Sequence, residues 1–138
     1  MEVFIGVSGP GVSTRRLIQT MTKKPIVFAL ANPEPEICPQ EAFGHCRILA
    51  TGRSDFPNQI GNALAFPGIY RDALDARASQ INAMKLAAAG AIADGISAAE
   101  LSEKYIVPGV FNRRVARQVA RAVAAAAHRS GVARRRLS

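Results

Sequence analysis

Three stretches of the chain combine small, amide and hydroxyl residues in the manner of ligand-binding loops. The first is Gly6-Val7-Ser8-Gly9-Pro10-Gly11. Its continuation, Gly9-Pro10-Gly11-Val12-Ser13-Thr14, misses the phosphate-binding pattern G-x-G-x-x-G by one residue, because Thr14 stands where the third glycine belongs. The acid expected about 20 residues further on is also absent, since Asn32 ends the next apolar run. What survives is positional: small residues directly after a strand let a ligand approach the backbone. The second stretch is Ala31-Asn32-Pro33-Glu34-Pro35-Glu36. An Asn there offers a carbonyl and an amide together and could hold a hydroxyl or carboxylate beside a neighbouring group, although the local signal favours a turn or cap. Glu34 and Glu36, flanked by prolines, read as solvated acids of an exposed turn. The third stretch runs from Ala50 to Tyr70 and gathers Asn58, Gln59 and Asn62 just past another apolar run.

No nucleophile and base accompany these loops. His45 and His128 are far apart, the acids lack metal-ligand spacing, and no Ser-His-Asp arrangement is apparent. Cys38 and Cys46 are the only cysteines. They are too few for a disulfide framework, and Cys46 beside His45 reads as a reduced structural thiol rather than a metal ligand.

The elements that must position the loops follow from the apolar runs. Val3 to Val7, Pro25 to Ala31 and Arg47 to Thr51 are short, continuous and closed by turn residues. That pattern predicts strands covered on both faces of a parallel sheet. Ser13 to Met21 opens with hydroxyl residues and places Leu17, Ile18 and Met21 at helical spacing, so the first crossover is a helix in a right-handed βαβ unit. Pro39 to Gly44 has room for about one turn. Beyond Asp55, helical spacing runs over Gln59–Ala78, Gln80–Ile96 and Asn112–Ser130. Three strands make a thin sheet for a chain of 138 residues.

The chain carries 18 Lys and Arg against 10 Asp and Glu, a net charge of +8. Through Lys104 the two signs balance at 10 each, whereas residues 105–138 hold 8 arginines and no acid. Arg113, Arg117 and Arg121 share one helical face and Val115, Val119 and Val123 the opposite one, which describes a docked amphipathic helix with a positive outer side. Arg134-Arg135-Arg136 adds a basic tail. No aromatic residues interleave with these arginines, which argues against a nucleic-acid partner. No apolar run is long enough to span a membrane and the first residues are acidic rather than basic, so the expectation is a soluble cytoplasmic protein with no membrane partner.

Taken together, Val3-Phe4-Ile5-Gly6-Val7-Ser8-Gly9-Pro10-Gly11, Phe28-Ala29-Leu30-Ala31-Asn32-Pro33-Glu34-Pro35-Glu36, Ala50-Thr51-Gly52-Arg53-Ser54-Asp55-Phe56-Pro57-Asn58-Gln59 and Ala65-Phe66-Pro67-Gly68-Ile69 closely resemble the bacterial malic enzymes, in the family's order. The resemblance covers the chain to about Ala133. It implies an α/β fold: an incomplete Rossmann-like parallel sheet of about three strands followed by a helical C-terminal part. Residues 1–133 would be part of an NAD(P)-binding domain and 134–138 a basic tail. The family decarboxylates (S)-malate oxidatively to pyruvate and CO2, using NAD or NADP with Mg2+ or Mn2+. The resemblance places cofactor contacts at Val7, Ser8, Gly9 and Asn32 and substrate contacts at Asn32 and Asn62.

An Asn-Asn pair of the family reads Gly61-Asn62 here, and loss of one buried amide typically removes about 1 to 3 kcal/mol. The family's catalytic Tyr and Lys, its substrate Arg, its acidic metal ligands and its glycine fingerprint find no counterpart in this chain. The expectation is therefore a malic enzyme fragment without activity of its own. Malate, NAD(P), a separate N-terminal malate domain and a second copy of the chain are its candidate partners. The alternative expectation is a non-catalytic module that sets its basic C-terminal helix on an acidic or nucleic-acid partner.

Overall fold

The computed structural model describes residues 2–134. Most of the expected basic tail, from residue 135 on, lies outside the described residues. The elements are β1 (Val3–Gly6), α1 (Arg15–Thr20), β2 (Ile26–Ala29), α2 (Pro39–Ala42), β3 (Ile48–Thr51), a 3-10 turn (Asn62–Leu64), α3 (Phe66–Asp75), α4 (Asn82–Ala93) and α5 (Arg113–Arg129). They fall into two compact units. One runs to Gly61 and takes in Leu101–Ile106; the other comprises Asn62–Glu100 and the chain from Val107 onward.

The first unit is an α/β layer. Its three strands are parallel in the order β1-β2-β3, with Phe4 opposite Val27 and Val27 opposite Leu49. Because both crossovers advance the same way across the sheet and share one hand, both return over the same face. Ile18 of α1, Ala42 of α2 and Ile37 accordingly pack with Val27, Ala29 and Leu49 into one core. The expectation that all three strands are covered on both faces fails at β1. Val3 and Ile5 alternate onto the other face and remain 48% and 65% exposed. The first helix begins where a hydroxyl can cap it: the Thr14 side chain accepts a hydrogen bond from the Leu17 amide at 3.3 Å.

The second unit is helical. Met84, Ala88 and Ala91 of α4 and Val115, Val119 and Val123 of α5 form one buried cluster with Leu64 and Ile69. The Asn112 carboxamide caps α5 through the amides of Arg114 at 3.0 Å and Val115 at 3.4 Å. Gly131, at φ 71°, ends it in a left-handed turn whose neighbour Val132 donates back to the Ala127 carbonyl at 3.1 Å. Glycine is demanded at Gly68 of α3 for a different reason, since a Cβ there would sit 2.6 Å from Cγ1 of Val119. The helix expected over Gln59–Ala78 starts only at Phe66. Ahead of it the chain stays extended, because Gln59 bridges to Thr51 and the Ile60 amide donates to the Thr51 carbonyl at 2.7 Å, prolonging the pairing of β3.

Candidate functional site

The loops after β1 and β2 lie at the carboxyl ends of neighbouring parallel strands, where the open backbone of an α/β sheet meets ligands. Val7, Ser8 and Asn32 are exposed and Gly9 is half-buried. The Asn32 carboxamide makes no hydrogen bond to any described residue, so both its donor and its acceptor are available. The Asn32–Pro33 peptide bond is cis.

The structure brings these loops together through a residue that the sequence reading set aside. Glu36 is not a solvated turn acid: it is fully buried, at 0% exposure. One carboxylate oxygen accepts hydrogen bonds from the Ser8 amide at 2.7 Å and the Ser8 hydroxyl at 3.3 Å. The other accepts from the Ala31 amide at 3.1 Å, and the Glu36 carbonyl accepts from the Ser13 amide at 2.9 Å. Burial raises the pKa of this carboxyl, but the hydrogen bonds from the amides of Ser8, Ala31 and Glu36 itself and from the Ser8 hydroxyl outweigh it and hold the group below its ordinary value of 4.5. A carboxylate so depressed contributes stability that is complete above that ordinary value and is lost as pH falls through the lower, folded-state value. The space it fills is left by Gly6, where a Cβ would lie 2.5 Å from the Glu36 Cδ.

Beside this cluster, a cavity of about 320 Å³ is lined by Gly11, Glu34, Cys38, Gln40 and Arg53, among others. Arg53 is fixed by a two-pronged contact to Asp55, at 2.9 and 2.7 Å, and lies 5.4 Å from the centre of the Phe56 ring. Its hydrogen bonds with Arg53 lower the Asp55 pKa, so the pair stays charged.

The third polar stretch separates into two roles. Asn58 does not face a ligand. It is buried, at φ 58°, and its amide nitrogen donates to the carbonyls of Leu49 at 3.1 Å and Glu103 at 2.9 Å. Its oxygen accepts from the Ile106 amide at 2.9 Å, so Asn58 staples the 101–106 segment to β3. Asn62 belongs to the helical unit, where it is exposed at the start of the 3-10 turn with its carboxamide unpaired among the described residues. At Gly61 an added Cβ would meet nothing within 4 Å, so local space does not require glycine there.

The helical unit also bears out the amphipathic reading of α5. Val115, Val119 and Val123 are at most 1% exposed, while Arg113, Arg114, Arg117 and Arg121 lie outside and, with Gln118, frame a shallow groove of about 320 Å³.

The profile described as "Malic enzyme, NAD binding domain" matches residues 1–128. The chain belongs to the malic enzyme NAD-binding domain family. Among its relatives, the NAD-dependent malic enzyme of Geobacillus stearothermophilus is 56% identical over 135 residues, covering 97% of this chain and 28% of that protein. An NADP-dependent malic enzyme of Rhizobium meliloti is 44% identical over 151 residues, covering 97% of this chain and 20% of that one. The crystal structure of the malic enzyme from Pyrococcus horikoshii Ot3 superimposes with a TM-score of 0.87 at 50% identity, over 99% of this chain and 32% of that chain. The chain therefore spans about a third or less of the length of these malic enzymes.

The family membership accounts for the three-stranded parallel sheet and for the position of its loops. The residues of this malic enzyme domain fit a dinucleotide in one respect: exposed backbone and an unpaired carboxamide stand at the strand ends. They do not fit a divalent cation, because no group of three His, Cys, Asp or Glu side chains among the described residues could hold one. Cys46, half-buried, instead donates to the Ala42 carbonyl at 3.4 Å, and burial pushes its thiol pKa up. His45 lies 3.4 Å from the Gln19 amide nitrogen.

Proposed function

We propose that this chain supplies the nicotinamide-side loops of an NAD(P)-binding domain that takes part in the oxidative decarboxylation of (S)-malate to pyruvate and CO2. The observation that carries the reading is the alignment of Val7-Ser8-Gly9 and Asn32 at the ends of β1 and β2, joined by the carboxylate of Glu36. NAD or NADP, when bound, supplies the acceptor for the hydride leaving the malate carbinol carbon. The chain's own residues bind and orient. The Val7-Ser8-Gly9 backbone presents a surface that a ribose can approach closely, and the free Asn32 carboxamide can donate to an oxygen of one ligand while accepting from a hydroxyl of another. Asn62, on the helical unit, has an exposed carboxamide, unpaired among the described residues, that suits a substrate carboxylate. Proton transfer and enolate stabilisation require a base and an electrophile, and among the described residues no group of three His, Cys, Asp or Glu side chains could hold a metal ion for the second. We assign those steps to a further portion of the protein or to a partner chain.

The test is an amide-resolved NMR titration of the chain with NAD, NADP and malate. The expected result is a set of shifts centred on Val7, Ser8, Gly9 and Asn32 at nucleotide concentrations on the order of 10 mM or below, the range of a weak half-site. Shifts confined to Arg113, Arg117 and Arg121, with the strand-end loops unmoved, would overturn this reading in favour of an acidic or nucleic-acid partner.

A further inference from the structure

We propose that Glu36 is a positioning residue: its carboxylate clamps the loop after β1 to the loop after β2 and so sets the spacing at which Val7-Ser8-Gly9 and Asn32 meet the nicotinamide nucleotide. The proposal rests on the reading of those loops as the cofactor side of the site. Four observations converge on it. Glu36 is fully buried, although an acid of its type is seldom found so. Its two oxygens are divided between the two loops, one on the Ser8 amide at 2.7 Å and one on the Ala31 amide at 3.1 Å. Each of these amides adjoins residues proposed to touch ligand, Ser8 between Val7 and Gly9 and Ala31 immediately before Asn32. β1 yields room for the group, since the absent side chain of Gly6 leaves space that any Cβ would take, at 2.5 Å from Cδ and 2.8 Å from both oxygens.

The chemistry calls for a carboxylate. Two backbone donors from separate loops approach one side chain, and only a group with an acceptor at each of its two ends satisfies both. Glutamine of the same shape offers one acceptor and one donor, so one of the two amides would face an N–H instead of an oxygen. Aspartate is one methylene shorter. Backbone bonds also join this edge, from the Leu30 amide to the Gly6 carbonyl at 3.0 Å and from the Ser13 amide to the Glu36 carbonyl at 2.9 Å, and a side-chain substitution leaves both in place. Glu36→Gln therefore alters the spacing of the loops while the strand pairing remains.

The experiment compares the wild-type chain, Glu36→Gln and Gly6→Ala by amide NMR, with NADP and NAD as the titrants. Gly6→Ala keeps the acid and evicts it, so it tests the clamp from the opposite side. In the wild type, the Ser8 and Ala31 amides are expected to shift together as pH is lowered, at a midpoint below the ordinary value of 4.5, and this shared titration should vanish in Glu36→Gln. Both variants are expected to bind the nucleotide roughly ten-fold or more weakly, as loss of a hydrogen bond to a charged group would give. Weakening should be accompanied by altered Val7, Ser8 and Asn32 shifts and unchanged β2–β3 amides.

A folded Glu36→Gln chain with wild-type affinity and wild-type loop shifts overturns the clamp and leaves the reading of the site standing. A wild-type chain whose strand-end amides ignore both nucleotides overturns the reading of the site, and the clamp as a cofactor device with it. Should Glu36→Gln fail to fold, the wild type decides. A nucleotide response that fades in step with the Ser8 and Ala31 titration supports the clamp, and one that persists through that titration overturns it.

Discussion

Asn58 holds its segment by three hydrogen bonds at once, to the Leu49 and Glu103 carbonyls and the Ile106 amide, and does so in the left-handed backbone region. Asn58→Ala would leave those three backbone groups without their partner and place an alanine where L-residues are strained. The expected loss is about 3 kcal/mol of unfolding free energy in a denaturant titration. Asn58→Gly loses the same bonds without the strain and should be more stable than Asn58→Ala by about 1 kcal/mol, an order that reverses if the left-handed conformation is unimportant. Asn58 and Glu36 also mark where the sequence stops informing on the site. From its own segment alone, Asn58 is one of a group of amides near a strand end and Glu36 an acid beside a proline. What decides their roles lies on other segments, the 101–106 stretch for Asn58 and the Gly6 gap with the Ser8 amide for Glu36. A glycine in the last position of an apolar strand, facing an acid within a buried Pro-Glu-Ile run, was the signal that could have exposed the second. That Val7, Ser8, Gly9 and Asn32 follow directly on parallel strands is legible, because the apolar runs before them are short and closed by turn residues.

The helices show the same division between pattern and environment. The periodicity placed α4 and α5 within about three residues of their ends, because long apolar stripes dominate the register of a helix. It overran the start of α3, where backbone pairing to Thr51 holds the preceding residues extended. It also gave no hint that β1 is open on one face, since both faces of that strand carry apolar residues and only the course of the crossovers decides which is covered. Two glycines with similar helical surroundings make the point quantitative. Gly90 of α4 is exposed and a Cβ there would meet nothing within 4 Å, so Gly90→Ala should stabilise the helical unit by about 1 kcal/mol through backbone entropy alone. Gly68 of α3 would drive its Cβ to 2.6 Å from Val119 Cγ1 and 3.3 Å from the Ala120 nitrogen. Val119 is buried and branched at Cβ, so it has little freedom to move aside. Gly68→Ala should therefore cost about 1 to 3 kcal/mol despite the better helix former. Thermal unfolding of the two variants side by side tests this, and a stabilised Gly68→Ala chain would show that α3 and α5 can part without loss.

Across the whole chain, charge and chemistry divide. The excess of eight positive charges belongs to residues 105–138, and the strand-end loops lie in the balanced part before them. Among the described residues, neither part holds a group of three His, Cys, Asp or Glu side chains that could bind a metal ion. Removing the hydroxyl proton calls for a positioned base, and the carbanion left by departing CO2 calls for a positive or acidic group beside the carbonyl oxygen. Arg53 is occupied by Asp55, the described residues contain no three-donor metal cluster, and the chain spans 28% and 32% of the malic enzymes it matches from Geobacillus stearothermophilus and Pyrococcus horikoshii. The purified 138-residue chain should accordingly form no pyruvate from malate with NAD or NADP and Mn2+. Adding a separately expressed remainder of a homologous malic enzyme, truncated where this chain aligns, should restore pyruvate formation. The restored rate should fall with Asn32→Ala, because that carboxamide has no hydrogen-bond partner among the described residues to lose. Pyruvate formed by the chain alone, and abolished by the same Asn32→Ala substitution, would instead place the whole catalytic apparatus within these residues.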